Sequence, residues 1–84
     1  MNKYYIVTFQ NTHEAMKAER EALRKQIKVV VTPTPTFITK SCGISLKVDE
    51  ENILNIINLI KSEDIKVKEI FVRDAESIKI IEYN

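Results

Sequence analysis

The order in which strand-like and helical segments alternate is the feature that most constrains this chain. Residues 4–9 are β-branched or aromatic and predict a strand, and the helical pattern that follows runs to about Gln26. The later predicted elements are a strand at 28–31, a strand at 44–48, a helix capped by Asp49, a strand at 67–73 and a short strand at 78–83. This β-α-β-β-α-β order with an appended C-terminal strand predicts an α+β fold. Its expected form is a ferredoxin-like sandwich, in which both helices cover one face of an antiparallel sheet.

Both helices are predicted to be amphipathic. Asn11 is placed to cap the first helix, with Glu14 three residues later. Asp49 is placed to cap the second, with Glu50 and Glu51 in a first turn where the helix dipole favours acidic side chains. The predicted apolar face of the first helix comprises Ala15, Met16, Ala18, Ala22 and Leu23. That of the second comprises Ile53, Leu54, Ile56, Ile57 and Ile60, with Leu59 near its polar flank.

The length of 84 residues predicts a single domain, 1–84. A domain of this size buries only about 60–65% of the surface that its unfolded chain exposes, so its stability is expected to be modest. Leu59 and the apolar tail at 78–83 favour self-association, because the tail is a predicted edge strand without a proline to guard it. A homodimer at micromolar concentration is therefore expected.

Charge and residue counts argue against several classes of function. Lys and Arg number 13 against 12 Asp and Glu, a net charge of +1, so no nucleic-acid partner is expected. No apolar run approaches the ~20 residues that span a bilayer, and the first residues lack the apolar core of a signal peptide. A cytoplasmic protein without a membrane partner is therefore expected. One Cys and one His argue against an internal disulfide and a multi-cysteine zinc site, and neither a metal nor a cofactor is expected.

Cys42 is the residue on which chemistry is most readily placed. It follows a loop, 33–41, that two prolines stiffen, and it precedes the only glycine of the chain. Lys40 is expected to favour the thiolate. The hydroxyls of Ser41 and Thr39, or the amides of the turn, are expected to donate hydrogen bonds to a thiolate or persulfide. The residues expected to support the thiol are Pro33, Pro35, Thr39, Lys40, Ser41 and Gly43. The alternative from the residues alone is a buried Cys42 that serves as a small apolar side chain.

His13 is the only histidine and a candidate base for Cys42. In the predicted sheet, the turn from the first strand into the first helix and the loop between the second and third strands are expected at opposite ends. A strand of six residues is about 20 Å long at ~3.3 Å per residue. Direct Cys–His catalysis is therefore not expected unless the long loop folds back, and His13 is expected in an exposed first turn of the helix.

One further pattern combines the loop residues Pro33-Thr34-Pro35, Ile38 and Ser41-Cys42-Gly43-Ile44 with a first strand and helix that contain Tyr5-Ile6-Val7-Thr8-Phe9, Thr12-His13, Ala15 and Ala18-Glu19. This pattern resembles a known family, the selenium/sulfur carrier-like proteins. The resemblance covers about residues 4–72, and 74–84 extends beyond it. Thr36 stands where the family usually has Arg, Phe37 where it has an acidic or polar residue, and Lys40 where it has a small residue.

The resemblance implies a carrier rather than a catalyst, in which Cys42 takes sulfur or selenium from a donor protein and passes it to an acceptor protein. A carrier of this kind needs one accessible thiol and no second cysteine that would expel the cargo as a disulfide. The competing interpretation is a non-enzymatic, dimerising binding or regulatory module with a structural Cys42. The reactivity of the thiol distinguishes the two.

Overall fold

The described part of the chain forms two helices and five strands in the predicted order. The computed structural model describes residues 3–38, 41–75 and 77–83. The elements are β1 Tyr4–Thr8, α1 Thr12–Arg24, β2 Val30–Pro33, β3 Ile44–Asp49, α2 Ile53–Lys61, β4 Glu69–Arg73 and β5 Ile78–Ile81. The strands form one sheet in the order β2-β3-β1-β4-β5, and each neighbouring pair is antiparallel. The predicted α+β fold with an antiparallel sheet is therefore confirmed.

The strand register sorts the sheet residues into two faces. Tyr5 pairs with Val48 on β3, and Val7 pairs with Ile70 on β4, so these side chains share one face. They belong to a single buried cluster together with the buried side chains of both helices: Ala15, Ala18, Ala22, Ile53, Ile56 and Leu59. Both helices therefore lie on the same face of the sheet. Each large apolar side chain fully buried in this cluster contributes about 1.5–3 kcal/mol.

The buried faces of the helices differ from the prediction at three leucines. Leu23 is 63% exposed and Leu54 is 69% exposed, although both were expected in the core. Leu59, expected at the polar flank and available for self-association, is only 5% exposed and packs in the core. Successive residues are rotated by about 100° around a helix axis. When the alanines of α1 and the Ile53–Ile56–Leu59 row of α2 face the sheet, Leu23 and Leu54 therefore face solvent.

The two helices begin differently. The Asn11 side chain caps α1 and accepts a hydrogen bond from the amide of Glu14 at 2.8 Å, which confirms that prediction. The Asp49 carboxylate instead accepts from the amide of Asn52 at 3.0 Å, within a turn that precedes α2. The acidic residues 50 and 51 therefore lie outside the helix, and their predicted place in its first turn is wrong. Asn52, and not Asp49, occupies the cap position, and the helix begins at Ile53.

Two residues after each helix ends, a non-glycine residue adopts the left-handed region. Gln26 has φ 60° and Glu63 has φ 65°. Beyond the end of α1, the Ile27 amide reaches back to the Ala22 carbonyl at 2.8 Å, and α2 closes in the same way. This arrangement satisfies carbonyls that the helix end would leave without partners. It explains why α1 ends at Arg24 rather than at Gln26.

The second strand lies further along the chain than predicted. It was expected at 28–31, with the prolines breaking any ladder, whereas β2 runs through Pro33, which pairs with Ile44. The Thr34 amide continues the pairing by donating to the Gly43 carbonyl at 2.9 Å. Pro33 is tolerated because β2 is an edge strand, where a residue without an amide proton costs no ladder hydrogen bond on the open side.

Candidate functional site

Cys42 lies in the connection between β2 and β3, residues 34–43, here called the thiol loop. The predicted supporting residues fall at different places in it. Pro33 ends β2, Pro35 opens a turn, and Ser41 and Gly43 flank the cysteine. Thr39 and Lys40 lie outside the described residues, so the proposed effect of the Lys40 charge stays a prediction.

The thiol loop crosses the face of the sheet opposite the helices. A turn forms where the Ile38 amide donates to the Pro35 carbonyl at 3.0 Å. The ring of Phe37 then packs edge-on against Phe71 of β4, with centroids 6.4 Å apart and an interplanar angle of 85°. Ile38 and Ile6 are buried on this second face. The described part of the loop at 35–38 is therefore anchored by packing on this face, and the stiffness of the whole loop stays a prediction.

A pair of hydroxyls ties the two ends of the thiol loop together. Thr34 Oγ1 lies 2.9 Å from the Cys42 carbonyl oxygen and 2.6 Å from Ser45 Oγ. The carbonyl can only accept, and Thr34 has one hydroxyl proton, so Thr34 donates to Cys42 and accepts from Ser45. Ser45 is fully buried, so this hydroxyl depends on Thr34 for its partner.

Ser41 contacts the backbone rather than the thiol. Its hydroxyl donates to the Cys42 carbonyl oxygen at 3.3 Å, and its expected hydrogen bond to a thiolate or persulfide stays a prediction. Thr34 and Ser45 were not predicted as site residues. Thr34 stands between the two prolines and offered a weak signal, but the alternation along β3 placed Ser45 on a solvent-facing side. Ser45 is buried because the loop covers that side.

The backbone of Cys42 is held against the end of β1. Its amide donates to the carbonyl of Phe9 at 3.0 Å. Because β1 and β3 are antiparallel, the end of β1 lies beside the start of β3, and the thiol loop shares an end of the sheet with the β1–α1 turn. The prediction that these two connections lie at opposite ends is therefore wrong. His13 itself is exposed in the first turn of α1, as expected.

The thiol of Cys42 is half-buried and packs against the core cluster. Its Sγ donates a hydrogen bond to the carbonyl oxygen of Ile44 at 3.1 Å. Only the protonated thiol can make this bond, because a thiolate has no proton to donate. A nucleophilic Cys42 must therefore leave this contact before it reacts.

Gly43 is not required by the backbone conformation. Its φ lies outside the left-handed region, and a Cβ built on it meets nothing within 4 Å. Neither a positive φ nor a close contact with the rest of the described chain therefore accounts for a glycine at this position. The structure therefore has open space at the Cβ position of Gly43, the residue that follows Cys42.

Neither a membrane-spanning helix nor a metal-binding cluster of side chains occurs in the described residues. No helix in 3–38, 41–75 or 77–83 is long and apolar enough to cross a membrane. Within the same ranges, no three His, Cys, Asp or Glu side chains are grouped so that they could hold a metal ion.

The family model described as "Putative Se/S carrier protein-like" matches residues 4–72 of the chain. The chain belongs to this family. The match includes both helices, β1 to β3, most of β4 and the whole thiol loop of this Se/S carrier-like protein, whereas β5 follows it. Neither a curated protein nor a solved structure matches the chain significantly.

Proposed function

We propose that this chain is a sulfur or selenium carrier and that the Cys42 thiol bears the cargo. The observation that carries the proposal is the position of the only cysteine in a member of the Se/S carrier-like family. Cys42 is half-exposed, its backbone is held at the amide by Phe9 and at the carbonyl by Thr34, and space beside Gly43 is open. A thiol held in this way loses little freedom when a donor or acceptor docks.

The loading step is a persulfide exchange. The Cys42 thiolate attacks the outer sulfur of a donor persulfide, a new sulfur–sulfur bond forms at Cys42, and the donor's bond breaks to release its thiolate, which takes up a proton. Cys42 is oxidised to the persulfide level and the donor is reduced to a thiol. Delivery reverses the roles: an acceptor nucleophile attacks the outer sulfur, and Cys42 leaves as the thiolate. Selenium in the outer position follows the same balance.

Two features of the site support this cycle. The chain contains no second cysteine, so no internal thiol can expel the cargo by forming a disulfide. The loop also lies at the same end of the sheet as the amino terminus of α1, which favours negative charge nearby.

We propose that the fold is the ferredoxin-like arrangement with β5 appended at the edge. The support is the way the helices connect the strands. α1 joins β1 to β2, which lie on either side of β3. α2 joins β3 to β4, which lie on either side of β1. Each strand–helix–strand unit is therefore split by a strand from the other.

A second candidate is an interaction module in which Cys42 is structural. The contact with Ile44 and the packing of Cys42 against the core favour this alternative, since both also suit an inert, half-buried cysteine. The two functions differ in one measurable property: a folded carrier takes a sulfur atom from a persulfide donor, whereas a folded interaction module with a structural Cys42 does not.

Intact mass spectrometry after incubation with a small-molecule persulfide donor tests the carrier function. The native chain should gain the mass of one sulfur atom and lose it again when cyanide is added, because cyanide takes the outer sulfur as thiocyanate. Cys42→Ser should gain nothing, which assigns the site. A native chain that stays unmodified while the urea-unfolded chain is loaded would favour the structural cysteine and overturn the carrier function.

A further inference from the structure

The two open edges of the sheet differ in what they offer to another strand. At β2, the Thr34 amide points inward to the Gly43 carbonyl, so the nitrogen of the preceding Pro33 points to the open edge. Pro33 has no amide proton, and this edge therefore lacks a donor where a new strand would need one. Pro33 guards the β2 edge.

The β5 edge carries no such guard. The Asp74 amide donates to the Ser77 carbonyl at 3.0 Å, which sets the hydrogen-bonding phase of the β4–β5 pair. In that phase, the amide and carbonyl groups of Ile78 and Ile80 point away from β4. Both prolines of the chain precede this strand, and neither lies in it. The β5 edge thus presents unblocked donors and acceptors.

An apolar strip leads to the same edge on the second face. Ile80 is 57% exposed and lies opposite Phe71, against which Phe37 packs edge-on. Phe37 is itself 52% exposed. Apolar side chains therefore run from the thiol loop to the open edge of β5, where a neighbouring strand would bury them.

We propose that β5 pairs with β5 of a second copy of this chain, antiparallel and centred on Ile80. A two-fold axis perpendicular to the sheet keeps the faces of the two copies continuous, so Ile80 of one copy lies opposite Ile80 of the other. In this register, Ile78 lies opposite Glu82. Every outward amide and carbonyl of these residues then finds a partner, and the two apolar strips join.

Charge complementarity selects a second copy in preference to an unrelated strand. Arg73 lies at the turn end of the β4–β5 hairpin, and Glu69 and Glu82 lie at its other end. The two-fold axis places the turn end of one copy against the acidic end of the other. Arg73 of each copy is thereby directed towards Glu82 of its partner, so the pairing is matched in charge at both ends.

Sedimentation velocity on the full chain tests the interface. Ile80→Lys should weaken dimerisation about ten-fold or more, because two like charges are placed opposite each other. The matched control is Val30→Lys. Val30 is 51% exposed and lies on the same face, at the far end of the same cross-strand row, on the guarded β2 edge. It should leave dimerisation unchanged.

A charge reversal provides the second test. Arg73→Glu should weaken the dimer, and adding Glu82→Arg should restore it, since the attractive pair is then re-formed with the charges exchanged. Circular dichroism checks that each variant is folded. A wild-type chain that stays monomeric up to about 1 mM overturns the proposal. A dimer that Val30→Lys breaks and Ile80→Lys leaves intact overturns it as well. So does a chain that binds a foreign strand peptide but does not self-associate.

Discussion

The hydroxyl oxygens of Thr34 and Ser45 lie 2.6 Å apart and join the two ends of the thiol loop. The Thr34 hydroxyl donates a hydrogen bond to the Cys42 carbonyl oxygen and accepts one from Ser45. A chain of two hydrogen bonds therefore runs from buried Ser45 to the backbone of the cysteine. The loop is therefore tied to β3 through side chains as well as through the polypeptide.

Thr34→Val should destabilise the protein by about 1–3 kcal/mol, because it leaves the buried Ser45 hydroxyl without an acceptor. Thr34→Ser keeps the hydroxyl and should recover most of that loss. Thr36→Val is the matched control, since Thr36 is exposed in the same loop, and it should change stability by less than about 0.5 kcal/mol. Urea denaturation measures all three. Equal midpoints for Thr34→Val and Thr36→Val would show that the hydroxyl pair contributes nothing.

Gly43→Ala should be neutral or should stabilise the fold by up to about 1 kcal/mol. Its φ is available to alanine, and the added Cβ meets nothing within 4 Å. Thermal denaturation checks this. If the substitution lowers stability by more than about 1 kcal/mol, the backbone at Gly43 is more restricted than the structure indicates.

Gln26→Gly and Glu63→Gly should each stabilise the protein by about 0.5–1 kcal/mol. Both residues adopt positive φ, which costs a side-chain-bearing residue about 1–2 kcal/mol, and glycine recovers part of it after its own entropy loss. Lys25→Gly is the control, because Lys25 has φ −94° and gains no such relief. The prediction fails if the substitutions at 26 and 63 lower the unfolding midpoint as much as Lys25→Gly does.

Leu59→Ala should cost about 2–5 kcal/mol, whereas Leu54→Ala should cost less than about 0.5 kcal/mol. Leu59 is 5% exposed in the core, and Leu54 is 69% exposed on the same helix. Urea denaturation of the two variants compares one residue type at two positions. The reverse order of stabilities would return Leu54 to the core, as the sequence pattern predicted.

The parts of the fold that depend on residues close in sequence were predicted correctly from periodicity and capping chemistry. The strand and helix order follows from β-branched runs and helical spacing, and the cap at Asn11 follows from one side chain and one amide three residues away. The end of α1 was placed too late because Gln26 takes the role that glycine usually signals. The face of α2 was misassigned because apolar residues surround much of that helix.

The candidate site depended on tertiary contacts that periodicity does not encode. Cys42 was found from its chemistry and from its proline-containing loop. Its contact with Phe9 required the strand register, and the burial of Ser45 required a loop that folds across the second face of the sheet. Alternation along β3 assigns Ser45 to solvent unless something covers it.

The rate at which iodoacetamide labels Cys42 in the native chain, relative to the urea-unfolded chain, tests the central claim most directly. A carrier thiol should react in the folded protein at least as fast as in the unfolded chain, since the folded loop presents it to a partner. Protection of the folded thiol by ten-fold or more would mean that the contact with Ile44 and the core holds it inert. That result would contradict the carrier function and leave Cys42 as a structural residue.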